Sequence, residues 1–146
     1  QVAQLLAQSK ESQEVISLAL LDLDYFKRVN DQFGHDIGDA TLKKLADILQ
    51  RNVRSKDLVV RWGGEEFLLI LYGTSLATTR EVVKRICNEL RDYSLHPINW
   101  PLTLSAGIAG GQSPVDATTL NRWISEADKA LLRAKEAGRD RVEVAV

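Results

Sequence analysis

The sequence predicts one α/β (α+β) sandwich, a central sheet flanked by helices, and three observations predict it. Runs dense in Val, Ile and Leu interleave along the chain with amphipathic stretches of helical period. The first run, Val15–Leu23, is apolar at almost every position, as in a strand covered on both faces. No internal repeat or low-complexity linker divides the 146 residues, and 45% hydrophobic with 27% charged residues is ordinary for one domain with a real core. Residues 1–146 are therefore read as a single domain.

Taken in order, residues 2–10 have a helical pattern and predict an incomplete amino-terminal helix within 1–14. The sequence contains no methionine, so Gln1 reads as an internal position of a longer protein. After the strand at Val15–Leu23, residues 25–33 read as a short helical turn and Gly34 and Gly38 as loop punctuation. Asp39 then opens a helix whose stripe is Leu42, Leu45, Ala46, Leu49 and Val53. Residues 58–62 and 66–71 are two apolar runs joined through Gly63-Gly64-Glu65, the pattern of a β-hairpin. Thr78 and Glu81 have capping-box spacing ahead of the stripe Val82, Val83, Ile86 and Leu90. Residues 102–109 predict another strand. Leu120, Trp123, Ile124, Ala127, Ala130, Leu131 and Ala134 mark a long helix stopped by Gly138, and residues 142–146 add a last strand.

Charge and cysteine content narrow the function classes. A net charge of −1 and a pI near 6.2 give no global pull toward nucleic acid or an anionic membrane, so any phosphate site is local. The single cysteine, Cys87, falls in a helical apolar stripe and reads as a small buried side chain in a reduced, cytoplasmic setting. No apolar run is long enough to span a bilayer and the amino end lacks a signal-peptide pattern.

Acids carry the chemistry. Asp22 and Asp24 end the first strand two residues apart, so both leave one face if the strand continues through them. A paired acid site is one reading; the other is that acids close strands because turns and water begin there. Glu65 and Glu66 follow two glycines at the hairpin tip, where backbone can approach a ligand without side-chain obstruction. Two acidic turns invite a hard cation, and Mg²⁺ takes one or two carboxylates and completes its shell with water and phosphate oxygens. That combination points to phosphoryl transfer.

The run Arg61-Trp62-Gly63-Gly64-Glu65-Glu66-Phe67 resembles the GG(D/E)EF signature of the diguanylate cyclases. Asp22-Leu23-Asp24-Tyr25-Phe26-Lys27, Asn30-Asp31, Gly34-His35 and Gly38-Asp39 are similar, in order and spacing, to that family's D-x-D-x-F-K-x-x-N-D-x-x-G-H-x-x-G-D segment. Ala127-Asp128-Lys129-Ala130-Leu131 through Ala134-Lys135 to Gly138-Arg139 resembles its A-D-x-A-L-x-x-A-K-x-x-G-R helix. The resemblance runs from about Val15 to Arg141. It implies a palm-like fold shared with nucleotidyl cyclases and some polymerases, and condensation of two GTP into cyclic di-GMP with Mg²⁺, or Mn²⁺ in its place.

Carried over by position, the resemblance implies Asp22, the carbonyl of Leu23 and Glu65 as metal ligands, with Glu66 available to a second ion. Phosphodiester formation needs a ribose 3′-hydroxyl deprotonated and phosphate charge neutralised. Glu65 is the candidate for the first demand. Lys27, Lys129 and Arg133 are the candidates for the second; Lys129 and Arg133, at i and i+4, share a helix face that is otherwise simply a solvated one. Phe26, Gly63 and Gly64 match positions beside the substrate, and Asn30 and Asp39 match the readers of guanine, whose N1–H and N2–H₂ a carboxylate can accept together. Asp39 as a mere helix cap is the competing role. His35 matches a residue beside the nucleotide.

Arg54-Ser55-Lys56-Asp57 matches the family's R-x-x-D motif, which implies a separate site for cyclic di-GMP as inhibitor, with Arg85 as a third contact. The two-fold product implies a homodimer, and the family implies an upstream sensor or regulatory domain, which leaves room for tethering to a membrane. The family's opening D-x-L-T-G-L-x-N-R segment is absent, and Leu132 and Asp140 stand where Tyr and Asn are common. A catalytically weak module that only binds GTP or cyclic di-GMP is the alternative reading.

Overall fold

A computed structural model describes residues 15–112 and 116–146; the helix expected over residues 2–10 lies outside them. β1 (Val15–Leu23) leads into α1 (Phe26–Phe33) and, across Gly34, into α2 (His35–Asn52). Then come β2 (Leu58–Arg61), β3 (Glu66–Tyr72), α3 (Leu76–Asp92), β4 (Leu104–Gln112), α4 (Ala117–Glu136) and β5 (Arg141–Val144). The sheet order is β2-β3-β1-β4-β5, antiparallel throughout except for the parallel β4–β5 pair. This is the expected α/β sandwich.

β1 occupies the centre, and its two-residue alternation feeds two cores. Ala19, Leu21 and Leu23 pack with Leu45 and Ile48 of α2 and Ile86 and Leu90 of α3. Ile16, Leu18 and Leu20 face the other way, onto Leu120, Trp123 and Leu131 of α4. Both faces of the strand are therefore dry, which is why its sequence shows no polar alternation.

The position of α4 depends on Gly107 in β4. A Cβ there would lie 2.0 Å from the carbonyl oxygen of Ala127 and 2.4 Å from the amide of Leu131, so backbone rests on backbone. That close approach brings the carboxyl-terminal turn of α4 beside the acidic end of β1, where the chemistry lies.

Four local expectations change. α2 begins at His35, not at Asp39: Gly34, at φ +87°, separates the two helices and Asp39 lies inside the second turn, so it is not a cap. Gly38 signalled a loop but is helical, since a Cβ there would lie 1.8 Å from Asn30 Oδ1 and only glycine fits against α1. The cap of α3 is Ser75, whose Oγ accepts the Thr78 amide at 3.1 Å, which leaves Thr78 and Glu81 within the helix. β4 spans Leu104–Gln112, beginning later than the strand expected over residues 102–109 and running on through Gly110 and Gly111. Cys87 is buried as expected, and burial pushes its thiol up to about 12. Among the described residues no helix is long and apolar enough to cross a membrane.

Candidate functional site

The site forms where β1 ends beside the tip of the β2–β3 hairpin. Register pairs Asp22 with Glu66 directly across the strands, so two carboxylates share one side of the sheet, an arrangement that costs stability unless a cation joins them. The Leu23 amide donates to the Glu65 carbonyl at 3.2 Å, stitching the end of β1 to the tip. Arg61 donates to the Gly63 carbonyl at 3.1 Å and the Gly64 carbonyl at 2.5 Å, holding the glycine turn from beneath. The side chain of Leu23 enters the core, so its carbonyl and the carboxylate of Asp22, 6% exposed, are what this strand end offers a ligand.

One cation of the chain already answers this acid. Lys135 Nζ, from the last turn of α4, donates to Asp22 Oδ2 at 2.6 Å. Burial alone would lower its pKa, but its hydrogen bond to Asp22 and the charges of Asp22, Glu66 and Glu65 outweigh that and raise it. One ammonium does not balance three carboxylates. Burial, with the charge of Asp22 and a hydrogen bond to it, pushes Glu65 up to about 7. Burial and Asp22 also raise Glu66. Among the described residues no group of three or more acids, histidines or cysteines is arranged to hold a metal ion on its own. Hard oxygens and excess negative charge fit a divalent cation that takes one or two protein carboxylates and completes its shell with water and phosphate, so Asp22, Glu65 and the Leu23 carbonyl could hold Mg²⁺, with Glu66 adjacent.

A cleft of about 340 Å³ opens from this cluster, and Phe26, Lys27, Glu65, Lys135 and Arg139 line it. Lys27 therefore lines the same cleft as Asp22 and Glu65. Lys129 and Arg133 are not in its lining: Lys129 is exposed on α4, and Arg133 donates to the Val144 carbonyl of β5 at 2.8 Å. Besides Lys27 and Arg28, the cations that line the cleft are Lys135 and Arg139, which sequence reasoning passed over. Their signal was present in the A-K-x-x-G-R run, with the same i, i+4 spacing as the pair chosen. Spacing alone does not tell which turn of α4 meets the strand.

On the α1–α2 side, Asn30 is half-buried and its Oδ1 is buried without a hydrogen-bond partner, held in the notch that Gly38 leaves. A buried amide oxygen in that state awaits a donor. Asp39, one residue on, and His35, at the start of α2, are exposed.

The Arg54–Asp57 pair lies elsewhere, between α2, β2 and α3. Asp57 is 9% exposed and accepts from Arg54 Nε at 3.2 Å, from the Arg54 amide at 2.9 Å and from the Tyr72 amide at 3.2 Å. Arg54 also donates to Thr74 Oγ1 at 2.8 Å and to the Tyr72 carbonyl. Arg85 donates to Asn52 Oδ1 at 2.6 Å, and all three line one cleft of about 240 Å³.

Comparison with known proteins shows the family and the fold. The family model "Diguanylate cyclase, GGDEF domain" matches residues 1–141. Diguanylate cyclase DgcP of Pseudomonas aeruginosa is 43% identical over 130 residues, 88% of this chain but 19% of that protein, so the chain spans about a fifth of that relative. The active GGEEF domain of a diguanylate cyclase from Vibrio cholerae superposes with a TM-score of 0.88 at 30% identity, covering 97% of this chain and 90% of that one. The GGDEF domain of DgcB from Caulobacter crescentus, solved in complex with c-di-GMP, gives 0.85 at 29% identity over 97% and 84%. With its signature at the hairpin tip, its acids gathered there and its fold shared with these domains, the chain belongs to the GGDEF diguanylate cyclase family.

Proposed function

We propose that this domain condenses two molecules of GTP into cyclic di-GMP, releasing two pyrophosphates, with one GTP held by each domain of a homodimer. The observation that carries the reading is the carboxylate cluster of Asp22, Glu65 and Glu66, only partly balanced by Lys135, beside a cleft that Asp22 and Glu65 line together with Lys27, Lys135 and Arg139. In each half-reaction a ribose 3′-oxygen bonds to the α-phosphorus of the other GTP while the bond to pyrophosphate breaks. The hydroxyl proton is the one that Glu65 stands ready to accept.

Members of this family are generally metal-dependent; Mg²⁺, or Mn²⁺ in its place, would supply charge neutralisation at the phosphates and acidify the attacking hydroxyl. The chain's residues do the remaining work. Asp22, Glu65 and the Leu23 carbonyl would hold the ion, with Glu66 available to a second, and Gly63 and Gly64 let phosphate approach the backbone. Lys27, Lys135 and Arg139 draw off phosphate charge, with Lys129 and Arg133 farther along α4. Asn30 and Asp39 read guanine, flanked by Phe26 and His35. Arg54, Asp57 and Arg85 form a second cleft for the product, where binding lowers the maximal rate without competing with GTP. The pair meets the chemistry of a guanine nucleotide, since the arginine fork suits phosphate or the O6/N7 edge and the carboxylate suits guanine donors. An upstream sensor domain in the longer protein would set the dimer.

Pyrophosphate release tests the reading. With Mg²⁺, GTP should give sustained release and ATP close to none, and Asp39→Ala and Asn30→Ala should weaken GTP binding far more than ATP binding. Equal turnover of both nucleotides would contradict it.

A further inference from the structure

Asp24, the second acid at the end of β1, lines the same cleft as Asp22 and Glu65. It is 5% exposed and both its oxygens are engaged. Oδ1 accepts from Ser105 Oγ at 2.7 Å, and Oδ2 accepts from Thr103 Oγ1 at 2.8 Å and from the backbone amide of Asp140 at 3.0 Å. Its own amide donates to the Thr103 carbonyl at 2.9 Å. β1 has already ended at Leu23, and Tyr25 turns the chain with φ +59°, so Asp24 does not join Asp22 at Lys135 but binds β4 and the turn that follows α4.

That turn presents Arg139 to the cleft, and its backbone is unusual. α4 ends in a Schellman arrangement, in which the Arg139 amide donates to the Ala134 carbonyl at 2.9 Å and the Gly138 amide to the Lys135 carbonyl at 3.3 Å. Gly138 has φ +121°, and Arg139 and Asp140 continue at +64° and +48°. Two successive non-glycine residues in the left-handed region persist only where their surroundings hold them. Two contacts hold the Asp140 end: Arg91 of α3 pairs with its side chain at 2.6 Å, and Asp24 takes its amide. The Arg139 guanidinium then lies 5.4 Å from the centre of the Tyr25 ring, the residue after Asp24.

We infer that Asp24 is a positioning residue: by binding the Asp140 amide it holds the left-handed turn that sets Arg139 against the substrate phosphates, and it does not ligate the metal. This rests on the proposed function for the identity of the substrate, but the geometry requires only an anionic group in the cleft.

Isosteric replacement separates the roles. In Asp24→Asn the amide oxygen can still accept from the Asp140 amide and Thr103, while the new NH₂ donates to Ser105 Oγ, whose hydroxyl rotates to suit. A carboxylate that ligates the metal would lose its negative charge, and with it much of the metal affinity, in the same exchange. The expected result is KM for GTP within threefold of wild type in Asp24→Asn, about a tenfold rise in Asp24→Ala, a similar rise in Arg139→Ala, and no further rise in the double variant. Mn²⁺ affinity by calorimetry should be unchanged in both Asp24 variants and lost in Asp22→Asn. Loss of Mn²⁺ binding in Asp24→Asn, or additive losses in the double variant, overturns the proposal. If Asp24→Ala does not fold, hydrogen exchange decides on wild type and Asp24→Asn: the Asp140 amide should be protected in both like the interior amides of α4, and rapid exchange there overturns it. A wild-type protein that makes no cyclic di-GMP defeats the functional reading alone, since metal titration and amide exchange read Asp24 without turnover.

Discussion

At the scale of single residues, the site is a problem of charge balance. Glu65 is raised from 4.5 to about 7 by burial and by Asp22, so the metal-free folded protein holds a proton there that the unfolded chain releases near 4.5. Stability rises with pH only where the unfolded state binds more protons; here the folded state binds more, so this contribution falls as pH rises from 4.5 to 7. Chemical denaturation in the presence of a chelator should show Glu65→Gln gaining on wild type across that window and holding the gain above it. A gap between the two proteins that does not vary with pH would contradict the burial of this charge. The basic residues give a second comparison. Lys135→Ala should weaken GTP binding about tenfold or more, the cost of losing a charge-assisted contact, whereas Lys129→Ala should change it less than threefold. The signature and the Asp22 and Lys27 segment were legible in the sequence because each is contiguous. Lys135 and Arg139 were not, because two pairs, one within α4 and one spanning its end, share the same spacing and only packing of the helix against β4 selects between them.

At the scale of elements, apolar patterning located β1, the hairpin, α3 and α4, and Gly138 ended α4 as expected. What misled was glycine and hydroxyl chemistry, which has more than one structural use. Gly38 is a contact between helices and not a break, and Ser75 and Thr78 are equally good caps in isolation. Ser75→Ala should therefore cost about 1 kcal/mol in urea denaturation, and Glu81→Ala less than about 0.5 kcal/mol. Equal costs would restore the Thr78–Glu81 box. Gly107→Ala is expected to cost about 3 kcal/mol or more, because its Cβ meets helix backbone, which cannot rotate aside as a side chain does. The same variant should lower activity at temperatures where it remains folded, since displacing α4 moves Lys135 and Arg139 together.

At the scale of the whole molecule, the sheet order and the parallel β4–β5 pair were beyond sequence reasoning, because pairing partners depend on long-range contacts that no local pattern records. That order matters to function: it puts β1, the hairpin tip and the end of α4 at one edge of the sandwich and the Arg54–Asp57 cleft at another. Separation predicts that Arg54→Ala with Asp57→Ala abolishes calorimetric binding of cyclic di-GMP and its inhibition without removing turnover, although loss of the buried Asp57 contacts should lower stability. One GTP per domain predicts that specific activity rises with protein concentration and on fusion to a strong dimeriser. The central claim is that an acidic cluster at the hairpin tip makes cyclic di-GMP from GTP, and mass spectrometry of the product tests it most directly. Wild type with GTP and Mg²⁺ should accumulate cyclic di-GMP, while Asp22→Asn and Glu65→Gln, each folded, should form it at least about 100-fold more slowly, beyond the loss typical of removing a residue that merely supports a ligand. No cyclic di-GMP from a dimeric wild-type sample, or undiminished product from either variant, would contradict the account.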